Sequence, residues 1–457
     1  MLRFHAEQGI TEAQTRLGAM YAKGQGVARN PEEAIKWFRL AVDQGDVLAH
    51  SYLGLMYTNG DGVARDLVEG VKLIRWAADR GELHAQYSLG VLFASGEGVS
   101  QDPVEAVKWF RLTAEKGYAL GQFGLGNMYR LGEGVVKDPA EAIKWFRLAA
   151  EQGLAEARLN LGVMYSGESG VAKDLVEASK WFQLAAEQGD PAAQNNLGLM
   201  CSKGEGAPKD PVKAAKWFRL AAERDHAEAR FYLGVMCLEG YGVAKNFVEA
   251  VKWFRLAAEQ GNVDAQSSLG FMLVEGRGTA KDPVEAAKWF RLAAEQGEAD
   301  AQLNLAVLYA NGNGVSQDLA EAAKWTRLAA EQGVADAQYK LGVLLASGQG
   351  VEVDLAEAAK WLRLAAEQGE ADAQQNLAVL LTKGRGVNQD LAEAAKWTRL
   401  AAEQGGADAQ YDFGCLLASG QGVEVDLAEA AKWLRLAAEQ GHSKAKTKLK
   451  SILKSKK

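Results

Sequence analysis

Cysteine and histidine are scarce in this chain: of 457 residues, three are cysteine and five are histidine. Three cysteines are too few for the disulfide framework of a small secreted domain. The five histidines stand singly along the chain, so none belongs to a metal-ligand spacing. No apolar run approaches the roughly 20 residues that a membrane-spanning helix needs. These absences predict a protein without a metal site, a disulfide scaffold or a membrane span.

Positive charge is also in deficit. Lysine and arginine number 52 against 59 aspartates and glutamates, for a net charge of −7. A nucleic-acid groove needs clustered basic residues to displace counterions, so we expect no nucleic-acid partner. No P-loop, nucleophile elbow or HExxH motif occurs. The sequence therefore predicts a protein that is not an enzyme, has no catalytic residues and uses no cofactor.

Tryptophan recurs every 36 residues through almost the whole chain. At position 73, where the period would place another, Leu73 is followed one helical turn later by Trp76. A fixed period of this length is typical of a solenoid of helical hairpins. The recurring tryptophans are Trp37, Trp109, Trp145, Trp181, Trp217, Trp253, Trp289, Trp325, Trp361, Trp397 and Trp433.

Residues 301–336 show how one repeat is built. Their first half spaces apolar residues at i, i+4, i+7 and i+8, which is one face of a helix that we call helix A. A glycine-rich loop follows. A second helix, helix B, opens with a capping box formed by Asp318 and Glu321 and ends at a glycine, Gly333. Helix A usually contains a glycine, replaced by Ala306 and Ala378 in two repeats, and a small residue there predicts a close helix crossing.

The whole chain, 1–457, is predicted to be a single all-α solenoid. Residues 1–9 form a partial N-terminal helix, 10–441 twelve repeats, and 442–457 a basic capping helix, for which a targeting or membrane tail is the rival interpretation. We expect a monomer. The N-terminus has no signal-peptide core, which favours a cytoplasmic protein; a truncated N-terminus would leave the periplasm or secretion open.

The repeat pattern A-Q-x-x-L-G-x-x-Y-x-x-G-x-G-V-x-x-D-x-x-E-A-x-K-W-F resembles the Sel-1-like repeat (SLR) family, which is related to tetratricopeptide repeats. The resemblance implies a right-handed α/α superhelix with helix A on its concave side. Members of the family usually serve as adaptors in multi-protein complexes, and bacterial members are linked to signalling, envelope functions and host interaction. Some cysteine-rich relatives bind penicillin-like compounds, but this chain lacks their regularly spaced cysteine pairs.

If helix A lines a groove, its variable positions are the candidate site for a protein or peptide partner. Aromatic residues at one such position could anchor a partner, or could instead pack against the next repeat; they are Tyr87, Phe123, Phe231, Tyr339 and Tyr411. Asparagines at the next position could hold a peptide backbone, because an amide both donates and accepts, or could be plain surface residues; they are Asn160, Asn196, Asn304 and Asn376. Arg158 and Arg230 replace the usual glutamine and could clamp an acidic group.

The C-terminal repeats have diverged little, since residues 347–369 and 419–441 are identical. We therefore expect a specialised site between about 85 and 275, a stretch that includes an irregular loop at 167–170. The favoured function is a non-enzymatic protein–protein interaction scaffold that binds in the concave groove. The alternative is an envelope-associated module that binds glycan or penicillin-like compounds, with or without weak β-lactamase-like hydrolysis.

Overall fold

The computed structural model describes residues 1–168 and 170–455, and within these ranges the chain is all-helical and has no strand. The described residues divide into two compact units, unit 1 ending at His226 and unit 2 beginning at Ala227. Within each unit, successive helices pack as a series of antiparallel hairpins. That all repeats form a single solenoid, and its handedness, stay predictions.

In unit 1 the helices are α1 Leu2–Glu7, α2 Thr11–Lys23, α3 Pro31–Asp43, α4 Val47–Asn59, α5 Leu67–Asp79, α6 Leu83–Ser95, α7 Pro103–Glu115, α8 Ala119–Leu131, α9 Pro139–Glu151, α10 Ala155–Val163, α11 Leu175–Glu187, α12 Pro191–Lys203 and α13 Pro211–Ala222. A π-helical turn, Met164–Glu168, follows α10. Ser169, in the irregular loop predicted at 167–170, lies outside the described residues.

In unit 2 the helices are α14 Ala227–Glu239, α15 Phe247–Ala258, α16 Val263–Glu275, α17 Pro283–Glu295, α18 Ala299–Asn311, α19 Leu319–Glu331, α20 Ala335–Ser347, α21 Leu355–Glu367, α22 Ala371–Lys383, α23 Leu391–Glu403, α24 Ala407–Ser419, α25 Leu427–Glu439 and α26 Ser443–Ser455. From α2 to α25, even numbers are helices A and odd numbers helices B. The predicted capping segment forms α26, which packs on α25 through buried Ala445 and Ile452; its predicted residues 456–457 lie outside the described ranges.

Local signals in the sequence set where helix B begins and where most helices A end. The Asp318 carboxylate accepts hydrogen bonds from the backbone N–H groups of Ala320 and Glu321, both at 3.0 Å, so α19 starts with the predicted cap. Helix α18 ends at Gly312, whose φ of +66° is left-handed. The hairpin geometry is thus set by side chains that contact their own backbone.

A ladder of buried glutamines ties consecutive hairpins together. In unit 2, the Gln302 side-chain amide donates to the carbonyl of Ala294 on the preceding helix B at 3.1 Å. The Gln332 amide, which follows the next helix B, donates to the Gln302 carbonyl oxygen at 2.9 Å. Unit 1 repeats the contact between Gln152 and Gln122 at 2.8 Å. Buried amides need such partners, which explains the recurring Ala-Gln and Glu-Gln-Gly sequences.

Ion pairs join consecutive helices B on the outer face of unit 2. Arg327 on α19 donates to Glu357 on α21 at 2.5 Å, and the indole N–H of Trp361 donates to the same carboxylate at 3.3 Å. Arg363 and Glu393 make the equivalent pair one repeat later. The hydrogen bond from Arg327, opposed by partial burial, lowers the pKa of Glu357 below its usual 4.5.

We therefore predict that Glu357→Gln destabilises unit 2 in a pH-dependent way. A carboxylate whose pKa is lower in the folded state stabilises the fold above the unfolded pKa, and the effect is lost as pH falls through the folded value. The free energy of unfolding should drop by about 1 kcal/mol at pH 7. This difference from wild type should shrink below about pH 4.5, as measured by urea titrations at several pH values.

Glu429→Gln is the matched control for that measurement. Glu429 also accepts from a tryptophan, Trp433, at 3.4 Å, but the arginine of the preceding helix B, Arg399, pairs with Glu403 on its own helix at 2.8 Å. The loss of unfolding free energy caused by Glu429→Gln should depend less on pH than the loss caused by Glu357→Gln. Equal pH profiles for the two variants would contradict the role of the inter-repeat arginine.

Candidate functional site

The two arginines predicted as clamps occupy the position of the buried glutamine ladder. Arg158 donates from its Nε to the carbonyl of Ala150 at 3.1 Å, as the ladder glutamine would, and from a terminal nitrogen to the carbonyl of Leu184 at 3.4 Å. Arg230 is only 9% exposed. Arg230 is thus buried, and Arg158 is half-buried with its guanidinium bound to backbone carbonyls of its own unit. A role of these two arginines as clamps stays a prediction.

The five aromatic residues predicted as anchors are half-buried. Three of them pack on a phenylalanine of helix B in their own hairpin. Ring centroids are 5.7 Å apart for Tyr87 and Phe110, 5.6 Å for Phe123 and Phe146, and 6.0 Å for Phe231 and Phe254. Such ring pairs contribute to the core, so these side chains offer a partner only their outer edges.

The other two aromatics lie nearer to open surface in unit 2. Tyr411 stacks on His442 with centroids 4.5 Å apart. Tyr339 is half-buried, and desolvation raises the pKa of its hydroxyl above the usual 10. The predicted asparagines Asn160, Asn196, Asn304 and Asn376 are all half-buried on their helices A, and Asn160 donates to the carbonyl of Glu156 in its own helix.

The glycine in the middle of helix A makes room for a side chain of helix B, which is a phenylalanine ring in most repeats. A methyl group built on Gly270 would lie 2.7 Å from the ring of Phe290. The ring is 2% exposed and fills the space at the base of helix A. In unit 1, the ring of Phe110 meets both its own helix A at Gly90 and the next helix A at Gly124. In most repeats the predicted close crossing is therefore a glycine–phenylalanine contact, and isoleucine or leucine takes the place of the ring in the other repeats that carry the glycine.

In two repeats of unit 2, both the glycine and the phenylalanine of this contact are replaced. Where helix A carries Ala306, helix B carries Thr326 instead of phenylalanine, and Ala378 is matched by Thr398 in the same way. Both threonines are buried and donate to the carbonyl four residues earlier. A threonine is much smaller than a phenylalanine, so the space between consecutive helices A is left partly unfilled.

Three cavities lie in the grooves between successive helices A of unit 2, two of them over the threonines and one beside Leu362. The first, about 260 Å³, lies between α18 and α20 over Thr326 and is lined by Ala306, Val307 and Tyr339. The second, about 240 Å³, lies between α20 and α22 and is lined in part by Asn376. The third, about 270 Å³, lies between α22 and α24 over Thr398 and Ala378.

Half-buried and exposed valines connect the three cavities. Val343 lines the first and the second, and Val379, 46% exposed, lines the second and the third. Val307, 38% exposed, borders the first. We call the surface formed by these cavities and valines on α18, α20, α22 and α24 the helix-A groove. Concave apolar surfaces with a few polar groups are the usual form of a binding site.

The helix-A groove lies outside the stretch between about 85 and 275 where a specialised site was expected. Of the predicted residues, Tyr339 and Asn376 line it. The sequence does contain a signal for the groove, but this signal appears only when two positions of one repeat are compared. Each alanine in the helix-A glycine position coincides with a Trp-Thr in place of Trp-Phe twenty residues later.

Other kinds of site find no support in the described ranges. No group of three or more His, Cys, Asp or Glu side chains there could hold a metal ion. Among the same residues, no helix combines the length and the apolar character that crossing a membrane requires.

Comparison with known proteins identifies the repeats. A family model described as Sel1 repeat matches the chain twelve times in tandem, over residues 11–46, 47–82, 83–118, 119–154, 155–190, 191–226, 227–262, 263–298, 299–334, 335–370, 371–406 and 407–442. The match confirms the predicted number of repeats, with boundaries shifted by one residue. No curated protein matches the chain.

Two solved bacterial structures are similar over much of their length. One is c5321, a protective antigen of uropathogenic Escherichia coli with an SLR fold. It is 38% identical, the alignment covers 93% of this chain and 91% of that one, and the TM-score is 0.81. The other is a Sel1 repeat protein from Oxalobacter formigenes, 36% identical over 68% of this chain and 90% of that one, with a TM-score of 0.54.

Proposed function

Because this chain belongs to the Sel1 repeat family, whose solenoids are typically scaffolds for protein–protein interaction, we propose that unit 2 binds an apolar segment of a partner protein in the helix-A groove. Solenoids of this family are generally non-enzymatic, and the proposal assigns no catalytic residue. The observation that carries it is the row of cavities over Thr326 and Thr398.

The energetics of burial support this assignment. A side chain such as leucine gains about 1.5–3 kcal/mol when it leaves water for an apolar site. Each cavity has room for one such side chain. The valines between the cavities would pack against the residues of the bound segment that join one inserted side chain to the next. Tyr339 and Asn376 add a phenol and an amide that can hydrogen-bond the backbone of that segment.

The first and third cavities can be filled with a packing arrangement that already exists in this chain, because other repeats have a glycine on helix A and a phenylalanine ring beside it. We call the filled state closed. Ala306→Gly with Thr326→Phe recreates the pair seen at Gly270 and Phe290, and fills the first cavity with a ring. Ala378→Gly with Thr398→Phe does the same for the third. The four substitutions together give a closed variant that is expected to fold.

We predict that the closed variant loses partner binding. Phage-displayed random peptides of about 12 residues would be selected on the wild-type protein, and their affinities measured by calorimetry. Peptides selected on wild type should bind the closed variant at least about tenfold more weakly, which is a loss of about 1.4 kcal/mol. Circular dichroism and thermal unfolding would verify that the variant is folded.

Ala306→Gly with Ala378→Gly, which leaves both threonines in place, is the control. It removes two methyl groups without filling a cavity, so binding should be largely retained. If the closed variant is folded and binds the selected peptides as tightly as wild type, the helix-A groove is not the binding site.

A further inference from the structure

A row of carboxylates runs beside the helix-A groove. The second residue of every helix A in unit 2 is acidic and exposed: Glu228, Asp264, Asp300, Asp336, Asp372 and Asp408. The equivalent positions of unit 1 hold only two acids among six residues, which are Glu12, Leu48, His84, Leu120, Glu156 and Ala192. An acid in the first turn stabilises any helix through its dipole. That general effect applies equally to unit 1, so it does not account for the difference.

The acidic row and the cavities share one face of each helix A. In α20, Asp336, Lys340 and Val343 follow one another at i, i+4 and i+7, which is a single helical face. The Lys340 ammonium lies 2.6 Å from the Asp336 carboxylate, and Lys340 and Val343 both line the first cavity. The carboxylates therefore stand along the edge of the groove where a bound segment would pass.

The protein itself neutralises only part of this negative charge. Asp336 has Lys340, and Asp408 lies 3.1 Å from the His442 imidazole. Asp264, Asp300 and Asp372 make no ion pair within the part of the chain that the structure describes. The one other basic residue that lines the cavities, Lys383, has Asp412 beside it in the lining of the third cavity. The groove is thus apolar along its floor and acidic along its edge.

We propose that the helix-A groove selects a segment that carries both aliphatic and basic side chains. The inference rests on the proposed function and names the chemistry of its partner. Aliphatic side chains would fill the cavities, and lysine or arginine side chains would reach the exposed carboxylates. Charges at the rim of an interface contribute mainly to the choice of partner and to the rate of association. An acidic segment of equal apolarity would be repelled, so the edge acts as a filter.

Two synthetic peptides test the proposal. Both have the same leucine and alanine pattern, Ac-KLAKLLKALKAL-NH2 and Ac-ELAELLEALEAL-NH2, and they differ only in the sign of their charge. We expect the lysine peptide to bind the full-length protein at least about tenfold more tightly than the glutamate peptide at low salt. Raising NaCl from about 0.05 to 0.5 M should weaken its binding severalfold.

Charge-neutral variants locate the effect. Asp300→Asn with Asp336→Asn and Asp372→Asn should weaken the lysine peptide about tenfold. The matched control carries Glu295→Gln, Glu331→Gln and Glu367→Gln, which remove the same charge from exposed positions at the ends of helices B. It should change the affinity less than about twofold, because these carboxylates are on helices B and none of them lines a cavity of the groove.

The outcomes separate this inference from the proposed function. If the two peptides bind equally, or if the aspartate variant and the control behave alike, the acidic edge does not select the partner. In that case the proposed function still stands, provided that the closed variant loses both peptides. If the closed variant binds the lysine peptide as wild type does, the cavities are not used and both proposals fail.

Discussion

Gly314→Ala is expected to destabilise unit 2 by about 1–3 kcal/mol more than Gly333→Ala. Both glycines have a left-handed backbone, with φ of +76° and +91°, so alanine meets the same intrinsic cost of about 1–2 kcal/mol at either position. Their surroundings differ. A methyl group on Gly314 would collide with the carbonyl oxygen of Pro283, the first residue of the preceding helix B. Around Gly333 no atom lies within 4 Å of such a methyl group.

Both variants carry a similar backbone strain. The difference between their losses of stability therefore measures the contact between neighbouring hairpins. The loop of one repeat rests on the start of helix B in the repeat before it, and a carbonyl in a helix cannot move aside as a flexible side chain can. Hydrogen–deuterium exchange of α17 and α19 gives the free energy of local opening, which is the quantity that a contact between two neighbouring hairpins affects. Equal protection in the two variants would show that the loop contact adds nothing to stability.

The hairpins could be predicted because their signals are local. The cap at Asp318 and the left-handed glycine after most helices act on residues at most a few positions away, so a single sequence reveals them. The 36-residue period then multiplies each local signal twelvefold. The family, the helices and the number of repeats follow from these features alone.

The candidate site could be predicted only in outline. Tyr339, at a variable position of helix A, and Asn376, an amide at the next position, both line the groove. Tyr87 was chosen by the same criterion and packs on Phe110, since variation at a position does not say how much of it the next helix covers. The interpretation of Arg158 as a clamp stays a prediction. Its hydrogen bond to the carbonyl of Ala150, in the place of the ladder glutamine, joins two helices and is therefore visible only in three dimensions.

The cavities depend on a contact between helices, which a helix-by-helix interpretation of the sequence does not contain. Ala306 and Thr326 are twenty residues apart and belong to different helices of one hairpin. Each substitution alone is unremarkable on its own helix. Their joint occurrence has meaning only because the glycine and the phenylalanine of other repeats fill the same space.

That shared space leads to the second large effect, at Gly270 and Phe290 in a repeat of the closed type. Gly270→Ala alone should cost about 1–3 kcal/mol, because the new methyl group meets the buried ring at 2.7 Å. Phe290→Thr alone should cost about 3–5 kcal/mol, because it leaves a cavity where a fully packed ring stood.

Together the two substitutions should cost less than their sum by about 1–2 kcal/mol, because threonine removes the ring with which the alanine collides. The double variant reproduces the pair at Ala306 and Thr326, and it should open a fourth cavity between α16 and α18. The coupling is measured as a double-mutant cycle, from the protection of α16 and α17 against hydrogen exchange. If the two effects simply add, alanine and threonine do not compensate each other, and the cavities of the helix-A groove need a different physical origin.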